Sequence, residues 1–277
     1  VTNAMSFSRI ISKVYGEPWF ISPAGFAAID RILRPRINGD NYEMPDMSMM
    51  VNPREEMTID SNGIAHIEIC GTLARDISPI EKCCGATDYE DIEDELEAAM
   101  EARCRGIWLE IDSPGGACNG NSEVADALQV ISRQIPTLAY TDGLACSAAY
   151  NIAVSCREVW ASPSATVGSI GAIIPWISTS AMWAEEGMEW DPITNAEGDL
   201  KGAMMGPELT AAQRASLTEY VQDNFDLFRS NVLRNRNVPA EAMRGQAFLA
   251  SRALSNKLID KVATEELAYA RLLALVG

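Results

Sequence analysis

From residue 63 onward, short apolar runs alternate with helical ones, and that alternation most narrows what the chain can fold into. "GIAHIEICGTL" (63–73) reads as a strand, "DIEDELEAAMEA" (91–102) as an acidic-faced helix and "RGIWLEID" (105–112) as a buried strand. "CNGNSEVADALQVISRQ" reads as a helix, "PTLAYTD" as a strand, "SAAYNIAVSC" as a helix, and "EVWASP" and "TVGSIGAII" as strands. Strands separated by helices pair in parallel, because the crossover helix covers the sheet face. The expectation is an α/β domain with a largely parallel sheet, whose sites form at strand ends. Beyond Pro175 come a helix ("STSAMWAEEG"), a strand-like "MEWDPITN", the loop "AEGDLKGAMMGPELT" and a long helix from about Thr210 to Arg234. "AFLASRALSNKLIDKV" and a last helix close the chain.

The first fifty residues read differently. Two short helices ("SFSRIISKVYG" and "PAGFAAIDRIL") precede a polar linker, "RPRINGDNYEMPDMS". Such a segment cannot bury much by itself and reads as an arm that wraps something else. The expected division is an N-terminal arm and linker over 1–55 and one domain over 56–277, with "VTNAM" read as foreign residues ahead of a natural start at Met5.

Charge narrows the function. The 277 residues carry a net −17, which argues against nucleic acid or an anionic membrane as the main partner, since either needs a basic face. Residues 1–36 are nevertheless +3 and the remainder −20, so the arm could bind an acidic surface or be a plain solvated helix. Seven cysteines without a CxxC pair, and one histidine, argue against a zinc site and for a reduced, cytosolic chain. No apolar run has the form of a signal peptide or a membrane span. Neither a metal nor a cofactor is expected.

Two strand ends carry candidate chemistry. "EIDSPGG" (110–116) ends a buried strand in a Pro-Gly-Gly turn, where Gly115 and Gly116 allow bare backbone amides to approach a ligand. The same tripeptide also makes an ordinary turn. "CSAAY" puts Ser147 at the start of a helix, where serine is a preferred N-cap. There its hydroxyl also lies near the Ala148 amide and the positive helix end, which would stabilise an oxyanion. Asp112 and Ser113, with Gly115, are candidates for holding substrate. Cys146 is a rival nucleophile, though a small buried thiol is the commoner fate of such a residue.

A serine nucleophile needs a base. His66, between Ile64 and Ile67 on the first sheet strand, reads as structural, so the chain points away from a Ser-His-Asp arrangement. Lysine is the known alternative. Of the five lysines, Lys201 in a glycine-flanked loop is the best placed. A lysine accepts a proton near neutral pH only where desolvation or positive charge disfavours its charged form, by roughly 4 kcal/mol. Glu197 and Asp199 would have to face water. Ser169, between glycines in "TVGSIGAII", reads either as a tight bend or as a hydroxyl orienting the lysine amine.

"GIWLEIDSPGG", "ACSAAYNIAVSCREVWASPSATVGSIGAI" and "ALSNKLID" together resemble the signal peptide peptidase A group of serine peptidases (S49) in the ClpP/crotonase superfamily, over roughly residues 60 to 265. "YGEPWFISPAGFAAI", the Ala-Ala-Tyr after the serine and the lack of an anchor are more similar to the bacteriophage head-maturation branch. The resemblance implies a ClpP/crotonase-like fold of repeated ββα units, with Ser147 as nucleophile, Lys201 as base, Ser169 orienting the lysine, and the amides of Gly116 and Ala148 as oxyanion hole. It also implies a ring-like homo-oligomer acting on scaffold, portal or capsid proteins in the host cytoplasm or procapsid. Here "GDLKGAMM" keeps Gly198 and Lys201 but follows them with Gly202 and an apolar stretch where the family usually has a polar residue.

An extended peptide would add as a strand beside the glycine turn, with small apolar side chains favoured at the cleaved position. The alternatives are a cytosolic peptide-degrading relative, a non-catalytic capsid assembly protein on the same fold, and an acyl-CoA enzyme of the crotonase type.

Overall fold

A strand covered on both faces needs a continuous apolar run, and residues 106–109 supply one that is buried throughout, before Glu110 and Asp112 reach the surface. The computed structural model describes residues 13–37, 54–78, 81–82, 85–178, 180–189, 191, 193–202 and 208–277. In chain order it contains β1 (Trp19–Ile21), α1 (Pro23–Ile37), β2 (Thr58–Ile59), β3 (Ile64–Ala74), β4 (Thr87–Asp88), α2 (Tyr89–Glu101), β5 (Gly106–Ala117), α3 (Asn121–Ser132), β6 (Thr137–Thr141), β7 (Leu144–Cys146) and α4 (Ala148–Ala153). There follow β8 (Glu158–Ala161), β9 (Thr166–Gly168), α5 (Ser180–Glu185), α6 (Ala211–Asn235), β10 (Ala247–Leu249), α7 (Ala250–Ser255), β11 (Lys261–Val262) and α8 (Glu265–Val276). The proposed start at Met5, most of the first helix and the linker from residue 38 on lie outside the described residues, while the linker's first four residues, 34–37, are not linker but the last turn of α1.

Among the described residues all eleven strands belong to one sheet, and β5 is its spine. One edge of β5 runs parallel to β3 from Ile64↔Gly106 to Leu73↔Gly116. Its other edge changes partner along its length: β6 against Ile107 to Glu110, β7 at Ser113, and β1, antiparallel, against Gly115 to Ala117. The sheet therefore splits near Asp112, with β6, β8 and β11 on one branch and β7, β9 and β10 on the other. The ladder is parallel except at β1–β5, β2–β3 and β9–β10, as the alternation of strands and helices predicts.

The helices are placed by their apolar faces and their caps. Asp88 accepts from the Glu90 amide to start α2, which buries Tyr89, Ile92, Leu96 and Ala99 at helical spacing. Thr210 and Gln213 form a reciprocal capping box at the start of α6.

Two corrections to the sequence reading concern the sheet. The Pro-Gly-Gly segment is not a turn into the next helix: β5 runs straight through it to Ala117, because β1 and β3 pair with it on both sides. "MEWDPITN" forms no strand among its described residues, and only Thr166–Gly168 of "TVGSIGAII" is strand.

The arm folds back onto its own domain. Val14, Tyr15, Trp19, Ile21 and Leu33 are buried with Ala74, Ile77 and Ala117 in a second core. Phe20 points the other way along the strand, into the main core, where its ring tilts against Phe228 at 4.9 Å.

Candidate active site

Ser147 follows β7 and stands at the N-cap position of α4, but its side chain does not cap that helix. Its backbone sits at φ 57°, ψ −116°, and its hydroxyl makes no capping bond. Positive φ at a residue with a side chain costs on the order of 1–3 kcal/mol and is held only where the surroundings dictate it. Here they do: the Ser147 amide donates to the Gly168 carbonyl at 2.7 Å, its own carbonyl accepts from the Asn151 amide at 2.9 Å, and Cys146 lies opposite Gly168 in the β7–β9 ladder. The residue is 0% exposed and its Oγ has no hydrogen-bond partner. A buried hydroxyl without a partner, on a strained backbone, is expensive as architecture.

Glycines crowd against it. A Cβ on Gly115 (φ +106°) would stand 2.9 Å from the Ser147 Cβ and closer still to the Phe20 carbonyl oxygen. A Cβ on Gly116 would collide with the Leu73 carbonyl. Strand-end contacts fix this segment: Ser113 Oγ donates to the Gly71 carbonyl at 2.6 Å and accepts from the Gly115 amide at 3.2 Å. Asp112 Oδ1 accepts from the Leu144 amide at 3.0 Å, holding the turn into β7. Asp112 and Ser113, taken from the sequence as substrate-binding candidates, thus brace the glycine segment and the serine strand from behind.

The register of β1 determines what Gly116 does. Ser22 donates its amide to the Pro114 carbonyl at 2.9 Å, and Cys118 donates to the Pro18 carbonyl at 3.1 Å. Hydrogen-bonded pairs alternate along an antiparallel ladder, so Phe20 and Gly116, midway between, are the next such pair. The Gly116 amide is therefore directed at the Phe20 carbonyl.

Ser169 also has positive φ (54°) and is buried; its amide donates to the Gln246 carbonyl at 2.7 Å. Gly168 links it to Ser147. Lys201 is not brought to them: it is exposed on a 3-10 turn, Asp199–Gly202, and is not hydrogen-bonded to Ser147, whose Oγ is unpaired. That turn is tied to α6 by Gln213 Nε2, which donates to the Asp199 carbonyl at 3.0 Å.

The rival residues fall away. Burial pushes the Cys146 thiol up to about 12, so it holds no thiolate near neutrality. The His66 ring tilts against Tyr269 at 5.6 Å and faces Asp60 at 3.4 Å, where Tyr269 also donates to Asp60; it is a structural residue on β3.

Sequence reasoning missed two parts of this region. One is a buried asparagine relay: Asn231 donates to Asn151 Oδ1 at 2.9 Å, Asn151 to Asn121 Oδ1 at 2.7 Å, and Asn121 to the Ala148 carbonyl at 3.0 Å. Nothing in the spacing of three asparagines on three elements announces it. The other is β1, whose signal, Trp-Phe-Ile between Pro18 and Pro23, was there to be read.

The family model for peptidase family S49 matches residues 129–277, and that for Clp protease matches residues 74–167. The architecture is a ClpP/crotonase-like α/β fold. The head-tail preconnector protein GP5 of Enterobacteria phage P21 is 25% identical over 257 residues, covering 87% of this chain and 51% of that protein. A putative signal peptide peptidase SppA of Enterococcus faecium is 28% identical, covering 58% and 48%. The capsid assembly protease C of Escherichia phage lambda is 25% identical, covering 67% and 45%. The chain spans about half the length of these relatives.

Proposed function

The chain belongs to peptidase family S49, and from that premise we propose that it is a serine endopeptidase whose nucleophile is Ser147. The observation that carries this reading is the serine itself: buried, unpaired and strained at a strand end, against a glycine segment.

In the proposed reaction Lys201 takes the proton from Ser147 Oγ as that oxygen attacks the scissile carbonyl. The developing oxyanion is met by the amides of Gly116 and Ala148; the lysine returns its proton to the leaving amine, and water releases the acyl enzyme. Ser169 orients the lysine. Lys201 is exposed here, so the reading requires the Asp199–Gly202 turn to move against the serine. The relatives named for head-tail preconnection and capsid assembly support substrates among phage structural proteins; a ring-like homo-oligomer working in the host cytoplasm or procapsid is proposed from the family resemblance alone. No helix among the described residues is long and apolar enough to cross a membrane.

A non-catalytic assembly role is the second reading, favoured by the exposure of Lys201 and the lack of any hydrogen-bond partner for Ser147 Oγ. A fluorophosphonate probe applied across pH 6 to 10, with the labelled peptide mapped by mass spectrometry, separates the two. Label on Ser147 that rises with pH and disappears in Lys201→Ala supports the dyad. Label that survives in Lys201→Ala moves the base elsewhere, and none at any pH favours the assembly role.

A further inference from the structure

A peptide cleft built by strand addition has two requirements: an open edge beside the nucleophile, and a pocket for at least one side chain. In this protein the edge beside Ser147 is already filled. The strand β1 pairs antiparallel with Gly115 to Ala117 on one side. On its other side Trp19 exchanges both backbone hydrogen bonds with Ile173, at 2.8 and 3.0 Å. A three-residue strand that is paired on both edges, buried throughout, and seated over a nucleophile's glycine segment occupies the space an extended peptide would need.

The contacts at its centre are specific. The Phe20 carbonyl receives the Gly116 amide, one of the two donors assigned to the oxyanion, and its oxygen lies on the same side of Gly115 as the Ser147 Cβ. The Phe20 side chain fills an apolar pocket against Phe228. Ser147 is wholly covered with the strand in place.

We propose that β1 is an internal occupant of the peptide cleft, holding the strand position a substrate takes, and that the segments able to replace it are extended and apolar with a large side chain where Phe20 now sits. The inference rests on the peptidase reading above for its function, but its physical content is competition for one groove. A tethered strand competes at an effective concentration on the order of millimolar, so micromolar peptide is shut out while the arm stays seated. Phe20 apart, the arm is anchored in a small cluster of its own, with Lys13 Nζ donating to the Arg75 carbonyl at 2.5 Å, beside the main core that β5 and its helices build. Release of β1 exposes the Gly116 amide, the Phe20 pocket and the serine in one movement.

The test locks and unlocks the strand in a single protein. Facing hydrogen-bonded residues in an antiparallel pair have Cα atoms about 5.5 Å apart, within disulfide reach, so Trp19→Cys with Ile173→Cys can be closed by oxidation and reopened by reductant. The probe is a fluorescein-labelled peptide copying residues 17–22 (EPWFIS), followed by anisotropy. The expected result is at least tenfold tighter binding to the reduced form than to the oxidised one. Equal binding to both forms, or binding to neither, overturns the inference.

A second measurement needs no substitution: millimolar peptide added to the unaltered chain should speed hydrogen exchange of amides 19–21, and unchanged protection there would equally overturn it. Fluorophosphonate labelling of the two redox forms reports on the chemistry separately. Loss of label in both, with peptide binding still redox-dependent, would sink the nucleophile assignment and leave the cleft inference standing.

Discussion

The serine at 147 is held in a backbone conformation that glycine adopts at far lower cost, and its hydroxyl is buried without a partner. Stability and chemistry should therefore oppose each other at this residue. Ser147→Gly is expected to raise the unfolding free energy by about 1–2 kcal/mol, read in denaturant melts, while abolishing fluorophosphonate labelling. A destabilised variant would mean the side chain is architectural. The neighbouring Cys146 should resist iodoacetamide in the folded protein at pH 8, because burial keeps its thiol protonated up to about 12; alkylation there, seen by mass spectrometry, would contradict the burial. Ser147, Gly115 and Gly116 were legible in the sequence because small residues at strand ends have few other uses. Their geometry was not, since a positive φ at serine is imposed by β9 and α4 and leaves no mark on the local sequence.

Among the elements, α6 joins the two halves of the proposed chemistry. At its start Gln213 both caps the helix and holds the turn that bears Lys201; near its end Asn231 feeds the relay that reaches the Ala148 carbonyl. Asn231→Ala leaves Asn151 and Ser155 without their shared donor inside the core, and is expected to cost about 2–4 kcal/mol in a thermal or denaturant melt. Slower Ser147 labelling should accompany it under conditions where the variant remains folded. Periodicity revealed this helix to within a residue at each end, because Thr210 and Gln213 announce its cap. Periodicity failed for β5, where proline and two glycines look like a stop. They are strand there because neighbours on both edges supply the pairing, which no local pattern encodes.

For the molecule as a whole, alkali should be more damaging than its acidic composition suggests. Burial pushes Cys146 and Cys156 up to about 12, from an ordinary value of 9.0, and raises Cys118 as well. An unfolded chain ionises these thiols from about pH 9, so the stability they contribute is complete below that pH and is lost progressively toward 12. Denaturation midpoints measured from pH 7 to 11 should fall beyond pH 9, and replacing Cys156 by Ala should flatten the fall; a flat profile in the parent chain would show these thiols to be solvated. The parallel sheet was readable from the sequence as a whole, since alternating strands and helices admit few other arrangements. The docking of the arm was not, because its partners, from Ala74 and Arg75 to Ile173 and Phe228, lie far downstream.

That separation has a consequence for how the protein comes into being. Trp19 to Ile21 leave the ribosome well before their pairing partners at 115–117 and 173 are translated. At about 5–20 residues per second the wait is on the order of ten seconds, during which three adjacent apolar side chains have no strand to join. Of the described strands, the earliest in the chain waits for partners far along it, so the newborn chain passes through a stage in which its cleft can assemble before its own arm closes it.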